Sequence, residues 1–178
     1  MKIIDIINGE KPSLSFEVFP PKTSDKFDSV EKPALEIADL KPDFMSVTYG
    51  AGGGTSKYTA EIAEHILQRG VTPLAHLSCI SSTREMVRKQ LNELKAKGIE
   101  NILALRGDIL PETDLSKSDY RYASDLTKEI ADFGGFCIGG ACYPEIHPES
   151  ADQREDIFYL KEKVDAGCSF LTTQMFFD

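Results

Sequence analysis

Leu14-Ser15-Phe16-Glu17-Val18-Phe19 is the stretch on which the fold turns. Residues two apart along a strand share a face. Leu14, Phe16 and Val18 therefore make an apolar face, and Ser15 and Glu17 a polar one. The division recurs downstream: Met45 and Val47 oppose Ser46 and Thr48, Ala75 and Leu77 oppose His76 and Ser78, and Thr172 shares a face with Gln174. A doubly wound sheet is covered by helices on both faces, and its strands usually read as continuous apolar runs. In a barrel one face packs on the helix ring while the other converges on an axial site at the C-terminal strand ends. The pattern favours the α/β class and, within it, a (β/α)8 TIM barrel.

Working outward, apolar runs at Leu14–Phe19, Phe44–Thr48, Thr72–Cys79, Asn101–Leu105, Phe136–Cys142 and Ser169–Met175 read as strands. Amphipathic stretches at Pro33–Leu40, Lys57–Arg69, Thr83–Lys97, Tyr120–Phe133 and Asp152–Ala166 alternate with them, as crossover helices of a parallel sheet do. Thr83 reads as an N-cap, and Gly70, Gly98 and Gly167 sit where helices end. Pro33 is expected in a first turn, because a proline deeper inside would break the helix. No linker divides residues 1–178, so one domain is expected. A barrel of this type takes about 250 residues and eight strands. About six of eight βα units are present, and the first and sixth strands are expected to carry unpaired edges.

Composition narrows the function classes. A net charge of −9 disfavours a nucleic-acid or membrane-surface partner, since phosphate would repel it. No apolar run reaches bilayer length, and Met1 to Leu14 mixes charged and apolar residues unlike a signal peptide, so a cytoplasmic protein is expected. Cys79, Cys137, Cys142 and Cys168 show neither CxxC nor zinc spacing and are expected as buried free thiols.

Several residues could carry chemistry. Glu17 lies mid-strand among apolar neighbours, where partial desolvation would raise its pKa and suit a general acid. Position alone leaves it open between that role and a salt-bridged strand-end glutamate. Asp108 follows Arg106-Gly107 after the fourth strand and reads equally as a turn residue. Gln174 would pass as a solvated amide, yet Met175, Phe176 and Phe177 follow it. Gly50 to Thr55 is a glycine-rich loop without the GxGxxG spacing, open between a phosphate-accommodating turn and a flexible one. Two prolines stiffen Tyr143 to Glu149, presenting Tyr143 and His147, but Glu145 and His147 lack a third ligand and no metal site is expected. His65 is expected on a solvated helix face. Spacing alone reaches a barrel enzyme with an acidic, amide-bearing site, and leaves its chemistry open.

Taken in order, Ser15-Phe-Glu-Val-Phe-Pro-Pro-Lys22, Ser46-Val-Thr-Tyr-Gly-Ala51, His76-Leu-Ser-Cys79 and Leu105-Arg-Gly-Asp108 resemble the methylenetetrahydrofolate reductase family. So do Tyr122-Ala-Ser-Asp125, Tyr143-Pro-Glu-Ile-His-Pro-Glu149, Lys163-Val-Asp-Ala-Gly167 and Thr173-Gln-Met-Phe-Phe-Asp178. The resemblance implies reduction of 5,10-methylenetetrahydrofolate to 5-methyltetrahydrofolate through bound FAD. NADH or NADPH would deliver hydride to the flavin and leave before the folate enters. It implies Glu17 as the general acid that protonates the folate nitrogen so that the methylene bridge opens. Asp108 would lie near the flavin ring and the pterin, and Gln174 would hydrogen-bond the folate ring. The implied FAD contacts are Thr48, His76, Arg106, Gly107, Asp108, Tyr122, Ala123, Tyr143, His147, Asp156 and Lys163, with Arg106 and Lys163 suited to the pyrophosphate.

Tyr159 and Glu162 depart from the polar and basic flavin contacts of well-known bacterial members, and the loop between Asp108 and Tyr122 looks slightly longer. The family's strands seven and eight, with the aromatic residue that stacks on folate and nicotinamide, have no counterpart in these residues. Homo-oligomerisation, or completion by a further C-terminal segment or a partner, is expected to cover the open side. Two other readings are a flavin-binding subunit without turnover and a fragment that folds only within a longer polypeptide.

Overall fold

The computed structural model describes residues 1–21, 23–49, 56–109 and 113–177. The Gly50 to Thr55 loop singled out above lies outside the described residues, as do Lys22, residues 110–112 and Asp178. Six strands, β1 (Ser15–Val18), β2 (Phe44–Val47), β3 (Thr72–Ser78), β4 (Asn101–Leu105), β5 (Cys137–Cys142) and β6 (Phe170–Thr173), form one parallel sheet in sequential order. Helices α2 (Phe27–Asp39), α3 (Ser56–Gln68), α4 (Arg84–Ala96), α5 (Ala123–Phe133) and α6 (Gln153–Asp165) make the crossovers, and a short α1 (Ile3–Ile7) precedes β1. Parallel neighbours joined in sequence by helices are the βα repeat of a barrel wall, here running from β1 to β6.

The alternation read from the sequence sorts the sheet into two faces. Val18, Met45, Val47, Ala75, Leu77, Ile102, Ala104 and Ile138 share one buried cluster with Ala34, Ile62, Ile66, Leu91 and Ile130 of the helix layer. The opposite face carries a smaller cluster, Ile3, Leu74, Leu103, Cys137 and Phe170. Helix α1, which the sequence pattern did not reveal, supplies Ile3 to it. The buried Asn101 side chain at the start of β4 accepts from the Ile3 amide (2.8 Å) and donates to the Met1 (3.0 Å) and Pro73 (3.2 Å) carbonyls. These bonds fix α1 across the N-terminal end of the inner face, so polar chemistry is left to the C-terminal end.

Three expectations are corrected. Pro33 is not in a first turn: α2 begins at Phe27 and contains Pro33 in its interior. An interior proline costs about 3 kcal/mol, but Phe27, Val30, Ala34, Ile37 and Ala38 form one apolar stripe packed on the core, and that burial prevails. His65 is not solvated, because it is half-buried and its Nδ1 bonds Glu31 of α2. Helix α5 starts at Ala123 rather than Tyr120, because the Asp125 carboxylate accepts from the Arg121 (2.8 Å) and Tyr122 (2.9 Å) amides. Thr83 caps α4 as expected, accepting from the Met86 amide (3.2 Å). The four cysteines are free thiols, three of them buried and Cys142 half-buried.

Uneven covering matters for the site. Helix α6 has no buried residue, and Ile157, Phe158 and Val164 stand exposed on it. Met175, Phe176 and Phe177, just beyond β6, are exposed as well.

Candidate active site at the C-terminal strand ends

Two polar regions lie at this end. The first spans β1, β2 and β3. Glu17 pairs in register with Ser46, and Ser46 with Leu74, so His76 lies one inward-facing step further along β3. Ser46 Oγ donates to Glu17 Oε2 (3.3 Å), and His76 Nε2 lies 3.6 Å from the same oxygen. The His76 side chain is 8% exposed and that of Glu17 47%. Glu17 is therefore half-exposed in these residues: as the residue of an edge strand, it has a neighbouring strand on one side only. The buried group is its neighbour. Desolvation lowers the His76 pKa to about 4. Burial outweighs the screened attraction of the half-exposed carboxylate, so the contact joins a neutral imidazole to a carboxyl group and is not an ion pair. Thr48 follows β2, its amide bonded to the Val18 carbonyl (3.0 Å) and its own carbonyl to the Thr59 hydroxyl (2.8 Å).

The second region is a cleft of about 230 Å³ between the ends of β4 and β5, the start of α5 and the length of α6. Arg106, Tyr122, Ala123, Tyr143, His147, Asp156 and Lys163 line it together. Arg106 grips Glu149 through both terminal nitrogens (2.6 and 2.5 Å). This fork strengthens the guanidinium as a cation and holds the Glu149 carboxyl below its ordinary pKa. Lys163 Nζ donates to the Ala141 carbonyl, and burial pulls its pKa down. Gly140 makes that reach possible, since a Cβ there would lie 2.6 Å from Lys163 Cδ. Ser150 donates to Asp156 (3.1 Å), Tyr122 and Tyr159 stack at 6.3 Å, and the Tyr143 ring meets His147 edge-on at 4.6 Å. Glu155 accepts from the Tyr159 hydroxyl (3.2 Å) and raises its pKa. Four carboxylates, Glu149, Glu155, Asp156 and Glu162, therefore face two cations, both already engaged.

Gly107 and Asp108 stand between the two regions. Gly107 has φ +90°, and a Cβ there would come within 2.8 Å of Ile80 Cγ2, so only glycine turns the chain here from Arg106 to Asp108. Asp108 is exposed. The Gln174 side chain is also exposed, one residue beyond β6, while its amide donates to the Cys142 carbonyl (2.8 Å). The structure thus brings seven of the eleven expected cofactor residues into one cleft. It sets Glu17 beside His76 and leaves Asp108 and Gln174 on exposed strand-end segments. Ser46 and Glu149 were not singled out by sequence. Cross-strand register could have found Ser46, but no local spacing links Glu149 to Arg106. Among the described residues no three His, Cys, Asp or Glu side chains are grouped to hold a metal, and no helix is long and apolar enough to cross a membrane.

A model of the methylenetetrahydrofolate reductase family matches residues 2–178. The chain belongs to this family. It is 41% identical over 167 residues to the 5,10-methylenetetrahydrofolate reductase of Pectobacterium carotovorum, covering 93% of this chain and 55% of that protein. Against the Escherichia coli enzyme of that name identity is 42% over 170 residues, with the same shares covered. Methylenetetrahydrofolate reductase 1 of Schizosaccharomyces pombe is 41% identical over 179 residues, covering 95% of this chain and 29% of that protein. The chain thus spans about half the length of the bacterial relatives. Among solved structures it resembles a Clostridium thermocellum protein that binds two copies of 5-methyl-5,6,7,8-tetrahydrofolic acid, with TM-score 0.68 at 16% identity, covering 100% of this chain and 59% of that one. A 2,3-dimethylmalate lyase follows at TM-score 0.62 and 11% identity, covering 97% and 62%. At such identities the two structures speak for the barrel-type fold alone.

Proposed function

We propose that the protein carrying this chain reduces 5,10-methylenetetrahydrofolate to 5-methyltetrahydrofolate through bound FAD, with NADH or NADPH as hydride donor in a ping-pong cycle. Family membership over residues 2–178 supports the folate reaction. The observation that carries the flavin part is the cleft: Arg106, Tyr122, Ala123, Tyr143, His147, Asp156 and Lys163 come from four stretches of chain and line one cavity. Its chemistry fits part of a flavin dinucleotide. Tyr122 and Tyr159 offer aromatic walls, while Lys163 and the unused N–H groups of Arg106 can meet phosphate oxygens.

Bound FAD supplies the hydride-carrying ring. The chain's own residues do the rest. Arg106 and Lys163 would anchor the anionic part of the cofactor, and Asp108, just beyond the Gly107 turn, would meet the flavin ring and the pterin. Glu17 delivers a proton to the folate nitrogen, whose bond to the methylene carbon then breaks with the electron pair moving to nitrogen. Substrate, cofactor or further chain covering β1 would withdraw Glu17 from solvent. A cytoplasmic location belongs to the same proposal. So does completion of the open side by homo-oligomerisation or a further segment, supported by the uncovered apolar residues of α6 and the segment after β6.

The test is a visible spectrum of the protein carrying this chain, titrated with FAD, then anaerobic NADH, then 5,10-methylenetetrahydrofolate. Expected are a bound flavin band, bleaching, and recovery on adding folate. A flavin that binds and never exchanges electrons with folate would reduce the proposal to a flavin-binding module, and no binding would remove it.

A further inference from the structure

Glu17 meets two partners that nothing above assigns to it. Glu17, Ser46 and His76 lie on the inward faces of three adjacent strands, and both neighbours approach the same oxygen, Oε2, at 3.3 and 3.6 Å. His76 Nε2 is buried and, among the described residues, has no hydrogen-bond partner. Leaving such a group unsatisfied is unfavourable, and Glu17 Oε2 stands within a few tenths of an ångström of bonding range. Catalytic hydrogen bonds are often loose before ligands bind. The half-exposed Glu17 side chain is the one free to close the gap.

We propose that His76 and Ser46 are positioning residues for Glu17: they hold Oε2 and leave Oε1 as the oxygen that delivers the proton. The proposal rests on the reading of Glu17 as general acid. The proton sits on Oε1; on transfer the O–H bond breaks and an N–H bond forms on the folate. The carboxylate left behind is met by the Nε2–H and Oγ–H donors, which keep their own protons. A neutral imidazole suits this role, since a charged one would hold Glu17 ionised and unable to act as an acid. Such a role requires the tautomer with the proton on Nε2.

Two measurements test it. In the ¹⁵N-labelled chain the imidazole resonances of His65, His76 and His147 are followed, with His76 assigned by His76→Gln. Expected are a protonated Nε2 on His76 and a shift of that resonance in Glu17→Gln, with those of His65 and His147 unmoved. An unprotonated Nε2, or a His76 resonance indifferent to Glu17→Gln, overturns the proposal. In the FAD-loaded protein, Ser46→Ala and His76→Ala should each slow re-oxidation by folate about ten- to hundredfold, the scale of a misplaced catalytic group. Both should displace its pH profile with little change in folate KM, and His76→Gln, whose amide nitrogen can reach the Nε2 position, should recover most of the rate. If Glu17→Gln abolishes folate turnover while Ser46→Ala and His76→Ala keep wild-type rates and pH profiles, the positioning role is wrong and Glu17 keeps its own. If the wild-type protein turns over no folate, the reductase reading falls and takes the positioning role with it.

Discussion

The strand-end mouth at Glu17 and the cleft beside α6 are both polar, but they are built oppositely. The mouth has three groups on three adjacent strands and a neutral, buried His76, so its geometry comes from the sheet register. The cleft has four carboxylates and two cations on loops and helices, each cation already engaged within the chain. On the proposed reading, the register-held site is pre-organised for one proton transfer. A cleft of exchangeable ion pairs must trade internal partners for ligand contacts, so its affinity depends on how easily those pairs open.

Lys163 is where the comparison breaks most readily. Lys163→Met keeps the buried stem and removes the charge, and should weaken FAD binding about ten- to hundredfold, the worth of one charged hydrogen bond at about 1.5–3 kcal/mol. Flavin fluorescence titration measures it. Unchanged affinity would mean that the cleft does not hold the phosphates.

The mouth has its own signature in acid. The folded His76 pKa of about 4 lies below the ordinary 6.5, so the unfolded chain binds the extra proton between those values. Its burial therefore destabilises the fold progressively as pH falls from 6.5 toward 4, by up to about 3 kcal/mol. Denaturant midpoints across that window should show the slope in wild type and lose it in His76→Gln. An identical slope in both would show that His76 is not buried neutral.

Glu149 sharpens the contrast further. Its pKa is depressed by Arg106, so the pair is intact above the ordinary carboxylate range and lost only as pH falls through the depressed value. At pH 7 Glu149→Gln should free Arg106 and tighten FAD a few-fold, since an exposed pair is worth about 1 kcal/mol or less. Weaker binding would instead mean that Glu149 orients Arg106 for the ligand. Glu162→Lys should give the smallest gain, a few-fold at low salt that fades as ionic strength rises. A gain independent of salt would rule out a charge effect.

The two regions were also unequally legible in the sequence. Period-two alternation in Thr72–Cys79 located the inner face, because strand geometry is local and a parallel barrel wall repeats it; in Leu14–Phe19 it held for the face of Glu17, but of Leu14, Phe16 and Val18 only Val18 is buried, because β1 is an edge strand. The same alternation placed Glu17 and His76 on one face, but whether a strand-end glutamate is buried depends on what flanks β1, and that is a tertiary fact. Pro33 misled because the local cost of a proline was weighed without the packing of Phe27 and Val30. Helix α1 hid because five residues carry too little periodicity, and its anchor, Asn101, is about a hundred residues away. In the cleft the family motifs named Arg106, Tyr143 and Lys163, while the Arg106–Glu149 fork and the Tyr122–Tyr159 stack join residues that no spacing rule connects.

The most direct test of the account is the folate half-reaction of Glu17→Gln, measured anaerobically on protein whose flavin has been reduced by NADH. The variant should bind FAD and accept hydride from NADH like wild type, and lose re-oxidation by 5,10-methylenetetrahydrofolate by about a hundredfold or more, the share of a general acid. Re-oxidation at the wild-type rate would contradict it, and Glu17 would be no more than a polar residue at the end of an edge strand.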